Sequence, residues 1–224
     1  MKRRRPHTFV ALVTTIALIS ATATGQPATQ GETPKPPDAG GATDFTLQEA
    51  LAARRSVREF ADTRLSEKNI LLLCWAAQGI TDPRGFRTAP SAGATYPLEL
   101  YVLTAENVRR YVPARNALVP HLEADLRGRL QQAALNQEFI GAAPAVFVIV
   151  ADVQRTARRY GDRAERYVLI EVGHAAQNLL LQAVALKLGA VPVGAFEDGR
   201  VAEVLRLPGE QRPFYLVPVG WPKE

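Results

Sequence analysis

The sequence predicts an α+β domain: a small central sheet, mixed or antiparallel, flanked by helices. Three observations carry this. The run Ala145–Ala151 is continuously apolar and β-branched, the pattern of a strand covered on both faces. The segment from Arg163 to Leu188 reads as one long helix. After Leu179 it is apolar around nearly its whole circumference, as in a helix buried in a large core or at a subunit interface. Strand and helix patterns otherwise alternate irregularly, without internal repeat, and 224 residues suit one domain with a sizeable core.

The N-terminal residues stand apart from that domain. Lys2, Arg3, Arg4 and Arg5 form a positive stretch, Phe9 to Ile19 a short apolar one, and Ala21-Thr22-Ala23 a candidate cleavage site. This pattern predicts a secretory signal over residues 1–23 and an exported, periplasmic protein. An uncleaved membrane anchor is the alternative, although the apolar run is short for a span. Arg4-Arg5 leaves a twin-arginine route open. Residues 24–43 are rich in Pro, Gly, Thr and Ala and predict a flexible linker. The folded domain is expected over 44–224.

Charge narrows the partners. The net charge of +5 includes four basic residues and no acid ahead of Thr24, leaving about +1 for the remainder. With no further run of Lys and Arg, there is no phosphate-backbone footprint, so nucleic acid is not an expected partner. No membrane contact is expected beyond the signal. Cys74 is the sole cysteine, which excludes an intramolecular disulfide and reads as a core thiol within Leu71–Ala77.

The remaining elements follow in order. Thr46 with Glu49 forms a capping box, so a helix runs from about Leu47 towards Arg54. Ser66 caps a second helix, with Leu65 and Ile70 at hydrophobic-staple positions, and Gly79 reads as its left-handed stop. Leu98 to Thr104 is a strand. Val108 to Leu122 reads as an irregular hairpin turning at Arg115-Asn116. Asp125 to Leu135 is helical, and Ala190–Val193 and Phe214–Val219 supply two more strands.

Three segments could carry chemistry. Arg54, Arg55, Ser56 and Arg58 place three guanidiniums and a hydroxyl within five residues, a set that matches phosphate oxygens. The same cations could instead complement the negative end of the first helix. The loop Pro90-Ser91-Ala92-Gly93, running into a strand, would let backbone amides approach a flat ligand. The turn Gly194-Ala195-Phe196 could do the same, or simply end a strand. Glu171, His174 and Asn178 share one face of the long helix. Glu-x-x-His suits a di-iron site only with a second copy and two further Glu, which are missing, so a hydrogen-bonded polar stripe is expected and no metal. The Gly-x-Ser-x-Gly, Rossmann and P-loop motifs are absent.

Taken together, these segments resemble the nitroreductase superfamily of FMN enzymes, most of all its SagB-type branch, which includes azoline dehydrogenases. The motifs are Arg54–Arg58, Arg87–Glu99, Arg159–Arg163, Glu171–Leu179 and Val193–Phe196, spread from about Thr46 to Pro222. The resemblance implies a nitroreductase-like fold and a homodimer with two FMN at the subunit interface, the long helix lying in that interface. It implies that Arg54, Ser56 and Arg58, with Arg55 beside them, hold phosphate and ribityl oxygens. Pro90, Ser91, Ala92 and Gly93, usually from the other subunit, would lie by the isoalloxazine, and Gly194 and Ala195 near its N5 edge. Lys223 is the basic residue available to complete the phosphate site.

Where azoline dehydrogenases carry a Lys-Tyr pair for proton removal, this chain has Arg159-Tyr160. Arginine keeps its proton, so only Tyr160 could position one there. The resulting expectation is an exported FMN-dependent oxidoreductase acting between an unidentified electron donor and a small organic substrate. The alternative is a degenerate flavin-fold protein that binds without turnover.

Overall fold

The computed structural model describes residues 45–223. The expected signal and linker lie outside the described residues. Helix α1 (Leu47–Ala53) starts at the expected capping box. The Thr46 hydroxyl accepts the Glu49 amide at 3.2 Å, and the Glu49 carboxylate accepts the Thr46 amide at 2.7 Å. Helix α2 (Glu67–Gln78) is capped by Ser66, whose hydroxyl accepts the Asn69 amide at 3.1 Å.

Gly79 ends α2 for a different reason from the one expected. Its backbone is extended, at φ −64° and ψ 146°, not left-handed. A Cβ there would lie 2.3 Å from the Trp75 ring, so glycine is required by the indole one turn back and not by a positive φ.

Strands β1 (Leu98–Thr104), β2 (Val108–Val112) and β3 (Ala117–Leu122) form an antiparallel meander. The turn between the last two falls where expected, with Asn116 left-handed at φ 42°. Helix α3 (Arg127–Ala133) is shorter than the sequence pattern implies. Leu135 and Asn136 adopt φ +57° and +60°, and the chain restarts in α4 (Glu138–Ala142). Strand β4 (Ala145–Asp152) leads into α5 (Val153–Tyr160) and then α6 (Ala164–Ala185).

Helix α6 closes with a Schellman pair. The Leu188 amide donates to Ala183 O and the Lys187 amide to Val184 O, both at 2.8 Å, with Lys187 at φ +60°. Strand β5 (Gly189–Ala190) is only two residues long: the Val191 amide donates to Pro218 O at 3.2 Å, but Pro218 has no amide to return the bond. Val193 makes an isolated pair with Leu216 instead. Helix α7 (Asp198–Leu205) and strand β6 (Gln211–Gly220) complete the domain.

The six strands lie in the order β3-β2-β1-β4-β6-β5, with every ladder antiparallel. Alternation divides the core in two. Leu98, Leu100, Val102, Phe147, Ile149, Val217 and Val219 point to the side covered by α2 and α6. Tyr101, Leu103, Val146, Val148, Val150 and Leu216 point to the side covered by α3, α4 and α7. Strand β4 is buried on both faces from Ala145 to Ala151, as its composition requires. Each fully buried Leu, Val or Phe side chain contributes roughly 1.5–3 kcal/mol. Cys74 is fully buried among them, and burial raises its thiol pKa well above the ordinary value, which makes it an inert core residue. By length and composition the α5–α6 segment could cross a membrane, but α6 packs on α2 and the sheet as a core helix.

Candidate functional site

The segment Arg54–Arg58 leaves α1 extended and runs beside β5. Ser56 pairs with Ala190 in parallel fashion, and the Val57 amide donates to Ala190 O at 3.0 Å. Val57 packs so closely that a Cβ on Gly189 would meet its Cγ1 at 2.6 Å. By the two-residue alternation of extended chain, Arg54, Ser56 and Arg58 then share the other side. No carboxylate among the described residues forms a salt bridge with Arg54, Arg58 or Lys223. Arg55 is engaged otherwise. Its Nη1 donates to Ala52 O at 3.0 Å and Arg54 O at 2.7 Å, complementing the end of α1.

Lys223 joins this group, because its amide donates to Glu59 O at 3.0 Å and it lines a groove with Arg58 and Phe139. The Arg58 guanidinium lies 5.7 Å from the centre of the Phe139 ring. Gln137, two residues before Phe139, donates from Nε2 to Ala195 O at 2.9 Å. The turn at Gly194 and Ala195, both exposed, is therefore on the same side of the molecule as Arg58.

The Pro90–Gly93 loop is a second centre. It is tightly folded, with Gly93, Ala94 and Tyr96 at φ +59°, +52° and +45°. Such angles persist only where the surroundings enforce them. The Tyr96 amide donates to Ser91 Oγ at 2.9 Å. Helix α5 grips the loop from outside. Thr156 shares a hydrogen bond with Thr95 at 2.9 Å, and Arg155 donates to Tyr96 O and Arg159 to Gly93 O, each at 3.3 Å. Tyr160 is also here, since a Cβ on Gly93 would meet its Oη at 2.7 Å. Its ring packs edge-on against Tyr167, with centroids 5.0 Å apart.

Under the loop lies a polar cluster, where the sequence pattern indicates only a stripe along α6. Glu171 is 2 % exposed and its Oε1 lacks a hydrogen-bond partner among the described residues. Burial pushes its carboxyl up to about 7, against the opposing pull of the Ser91 hydroxyl and the Arg87 charge. Arg87 donates to buried Gln78 and lies 4.6 Å from the Tyr96 ring centre. Asn178 donates to Thr88 O at 3.2 Å. No group of three metal-ligating side chains occurs among the described residues.

One chain brings Arg54, Ser56, Arg58, Lys223, Gly194 and Ala195 to one side, and gathers Pro90–Gly93 with Arg159 and Tyr160 elsewhere. The two groups do not meet. Ser91 and Glu171 line one cavity, whereas Ser56 pairs beyond the far end of α6. From Glu171 to Ala185 alone the helix rises about 20 Å. The donor set nonetheless fits FMN. Cations without a carboxylate partner among the described residues and a hydroxyl on one extended face suit a phosphate, and a side-chain-poor loop suits a flat ring.

Comparison with known proteins agrees. The nitroreductase family model matches residues 51–221. A protein of Methanocaldococcus jannaschii assigned to the nitroreductases is 46% identical over 183 residues, covering 79% of this chain and 91% of that one. A crystal structure from Ralstonia eutropha, likewise assigned, is 29% identical, with a TM-score of 0.75 over 86% of this chain and 89% of the other. The NADPH:FMN oxidoreductase of Vibrio harveyi in complex with NAD+ is alike in fold, at 22% identity and a TM-score of 0.61 over 80% of this chain and 69% of that one. Fold and family together define an FMN-dependent oxidoreductase. The chain belongs to the nitroreductase family.

Proposed function

We propose that this chain is an exported FMN-dependent oxidoreductase of the SagB type, passing hydride or electrons between a donor and a small organic acceptor. It works as a homodimer, and each flavin is held by groups from both copies. The observation that carries this reading is the separation of the two candidate centres along α6, which a second copy would bridge. Exposed apolar side chains support pairing: Leu47 and Leu51 on α1, and Leu169 and Ile170 on α6. So does an apolar groove of about 290 Å³ where Phe45, Leu47, Trp75 and Leu181 converge.

In this reading Arg54, Ser56, Arg58 and Lys223 bind the phosphate and ribityl oxygens. Pro90–Gly93 of the other copy orient the ring and exclude water, and Gly194 and Ala195 present backbone to its edge. The bound flavin supplies the redox chemistry. Of the pair by the loop, Arg159 holds Gly93 O as a permanent cation, and Tyr160 is the group able to hold a proton at its Oη. The basic and apolar pattern of residues 2–19 supports export through a signal over 1–23 to the periplasm. Export would part the enzyme from the cytoplasmic nicotinamide pool, so a different donor is expected.

The test is direct. The purified protein should be yellow and release FMN on denaturation. Anaerobic donors should bleach it, and nitroaromatics or quinones should restore the colour. A protein that stays colourless after reconstitution with FMN overturns the proposal. One observation favours a second reading, a flavin-fold binder without turnover: arginine stands where a lysine base would be needed. A flavin that bleaches with dithionite but is reoxidised by none of these acceptors would favour that reading.

A further inference from the structure

The junction of α3 and α4 is strained without any gain of its own. Leu135 and Asn136 are both left-handed, at φ +57° and +60°, a conformation unfavourable for any residue with a Cβ. The Leu135 side chain is 57 % exposed, so its burial does not offset that strain. Strain of this kind persists where the surroundings gain from it. What the kink delivers is contact with the turn at Gly194 and Ala195. The Gln137 side chain donates from Nε2 to Ala134 O and to Ala195 O, both at 2.9 Å. Both of its amide hydrogens are thereby used. Beside them the Glu197 amide donates to Ala133 O at 2.9 Å.

These contacts isolate a short run of donors. The Val193 amide donates to Leu216 O at 2.8 Å, and the Glu197 amide is held by α3. The three amides between them, of Gly194, Ala195 and Phe196, find no backbone acceptor among the described residues. In a trans peptide the carbonyl and the following amide point opposite ways, and no peptide among the described residues is cis. Gln137 draws Ala195 O towards α4, so the Phe196 amide faces away from α4. The Phe196 ring packs into the core on that side, as does Phe139, two residues beyond Gln137.

We propose that Gln137 is a positioning residue for the flavin. It ties back Ala195 O and fixes the Ala195–Phe196 peptide in one orientation, so that the turn offers amide donors, and not this carbonyl, to the acceptor atoms at the edge of the ring. This rests on the reading that Gly194 and Ala195 lie at that edge. The hydrogen bonds of the Gln137 side chain go to Ala134 and Ala195 and not to the phosphate group of residues. A merely structural role would look different. It would loosen α4 and, through Phe139 against the Arg58 guanidinium, the phosphate side as well.

The experiment titrates the full chain, stripped of flavin, with FMN, and with inorganic phosphate as its competitor. Gln137→Met keeps the length of the side chain and removes both donors. It should lose about fivefold in FMN affinity, the worth of one hydrogen bond, while the inhibition constant of phosphate stays unchanged. A second measurement needs no variant. In the wild type, exchange of the Phe196 amide with water, read by nuclear magnetic resonance, should slow by about tenfold when FMN binds. Equal losses for FMN and phosphate in Gln137→Met would make Gln137 a brace for α4 and overturn the proposal. An unchanged FMN affinity in that variant, or a Phe196 amide that FMN leaves unprotected, would overturn it too. Those three results leave the flavin reading standing. A wild type that binds no FMN defeats that reading, and this proposal with it.

Discussion

Replacing Glu171 with glutamine should make the protein more stable at alkaline pH, by an amount the structure sets. The carboxyl is raised from 4.5 to about 7 by burial. The folded state therefore holds a proton that the unfolded chain gives up, and it holds it between those two pH values. Stability linked to this group is complete below about pH 4.5 and is lost as pH climbs through about 7. At 1.36 kcal/mol per pKa unit, the loss above neutrality is about 3 kcal/mol. Glutamine is isosteric and neutral at every pH, so it removes the slope without opening a cavity. Urea unfolding of both proteins at fixed chain concentration, at pH 5, 6, 7 and 8, measures the difference. The variant should exceed the wild type by about 1 kcal/mol at pH 5 and by about 3 kcal/mol at pH 8, with m-values unchanged. In a domain of this size that is a gain of roughly 6–12 °C in melting temperature. A difference that does not vary with pH would refute the claim that Glu171 is buried with little compensation.

Arg58→Ala and Arg54→Ala should each weaken FMN binding by about 1.5–3 kcal/mol, roughly 10- to 150-fold, as lost charge-assisted contacts. Titration calorimetry reads this, and unchanged affinity would reject the phosphate assignment. Gly189→Ala sets a Cβ 2.6 Å from Val57 Cγ1. It should push the Arg54–Arg58 segment off β5 at about 1–3 kcal/mol in stability, with flavin loss. The double variant with Val57→Ala should recover both, and no recovery would mean the steric argument is wrong. Gly93→Ala strains a position at φ +59° and drives a Cβ to 2.7 Å from Tyr160 Oη. Turnover should fall while the phosphate-side variants' affinity pattern is untouched, checked by steady-state kinetics beside binding. Cys74 should resist a thiol reagent in the native protein and react only at the rate of unfolding.

Much of the fold was legible because the signals were local. Thr46 with Glu49, Ser66, the apolar run of β4 and the turn at Asn116 each lie within a few residues of what they determine. Helices α4, α5 and α7 carry no strong local signal. The first is five residues long. The second is nearly all polar on one side, with Asp152 as its only signal. The third begins at Glu197 without a side-chain cap. Gly79 was misread because glycine answers two needs, and sequence cannot say whether a positive φ or a neighbour's ring is the reason. The site split along the same line. The Arg-Arg-Ser segment and the Pro-Ser-Ala-Gly loop were visible as motifs, but their distance apart was not. The company of Arg87, Gln78, Ser91 and Glu171 arises only when α2 and α6 pack on the sheet. Of these, Arg87 had a signal in its place just ahead of the loop motif, and Gln78 had none.

The central claim is that one flavin site needs two chains. Native mass spectrometry of the FMN-loaded protein tests it most directly. The account predicts two chains carrying two FMN, with flavin lost whenever dilution or a charged substitution at Leu169 or Ile170 separates them. A single chain that retains one FMN with undiminished affinity would contradict it.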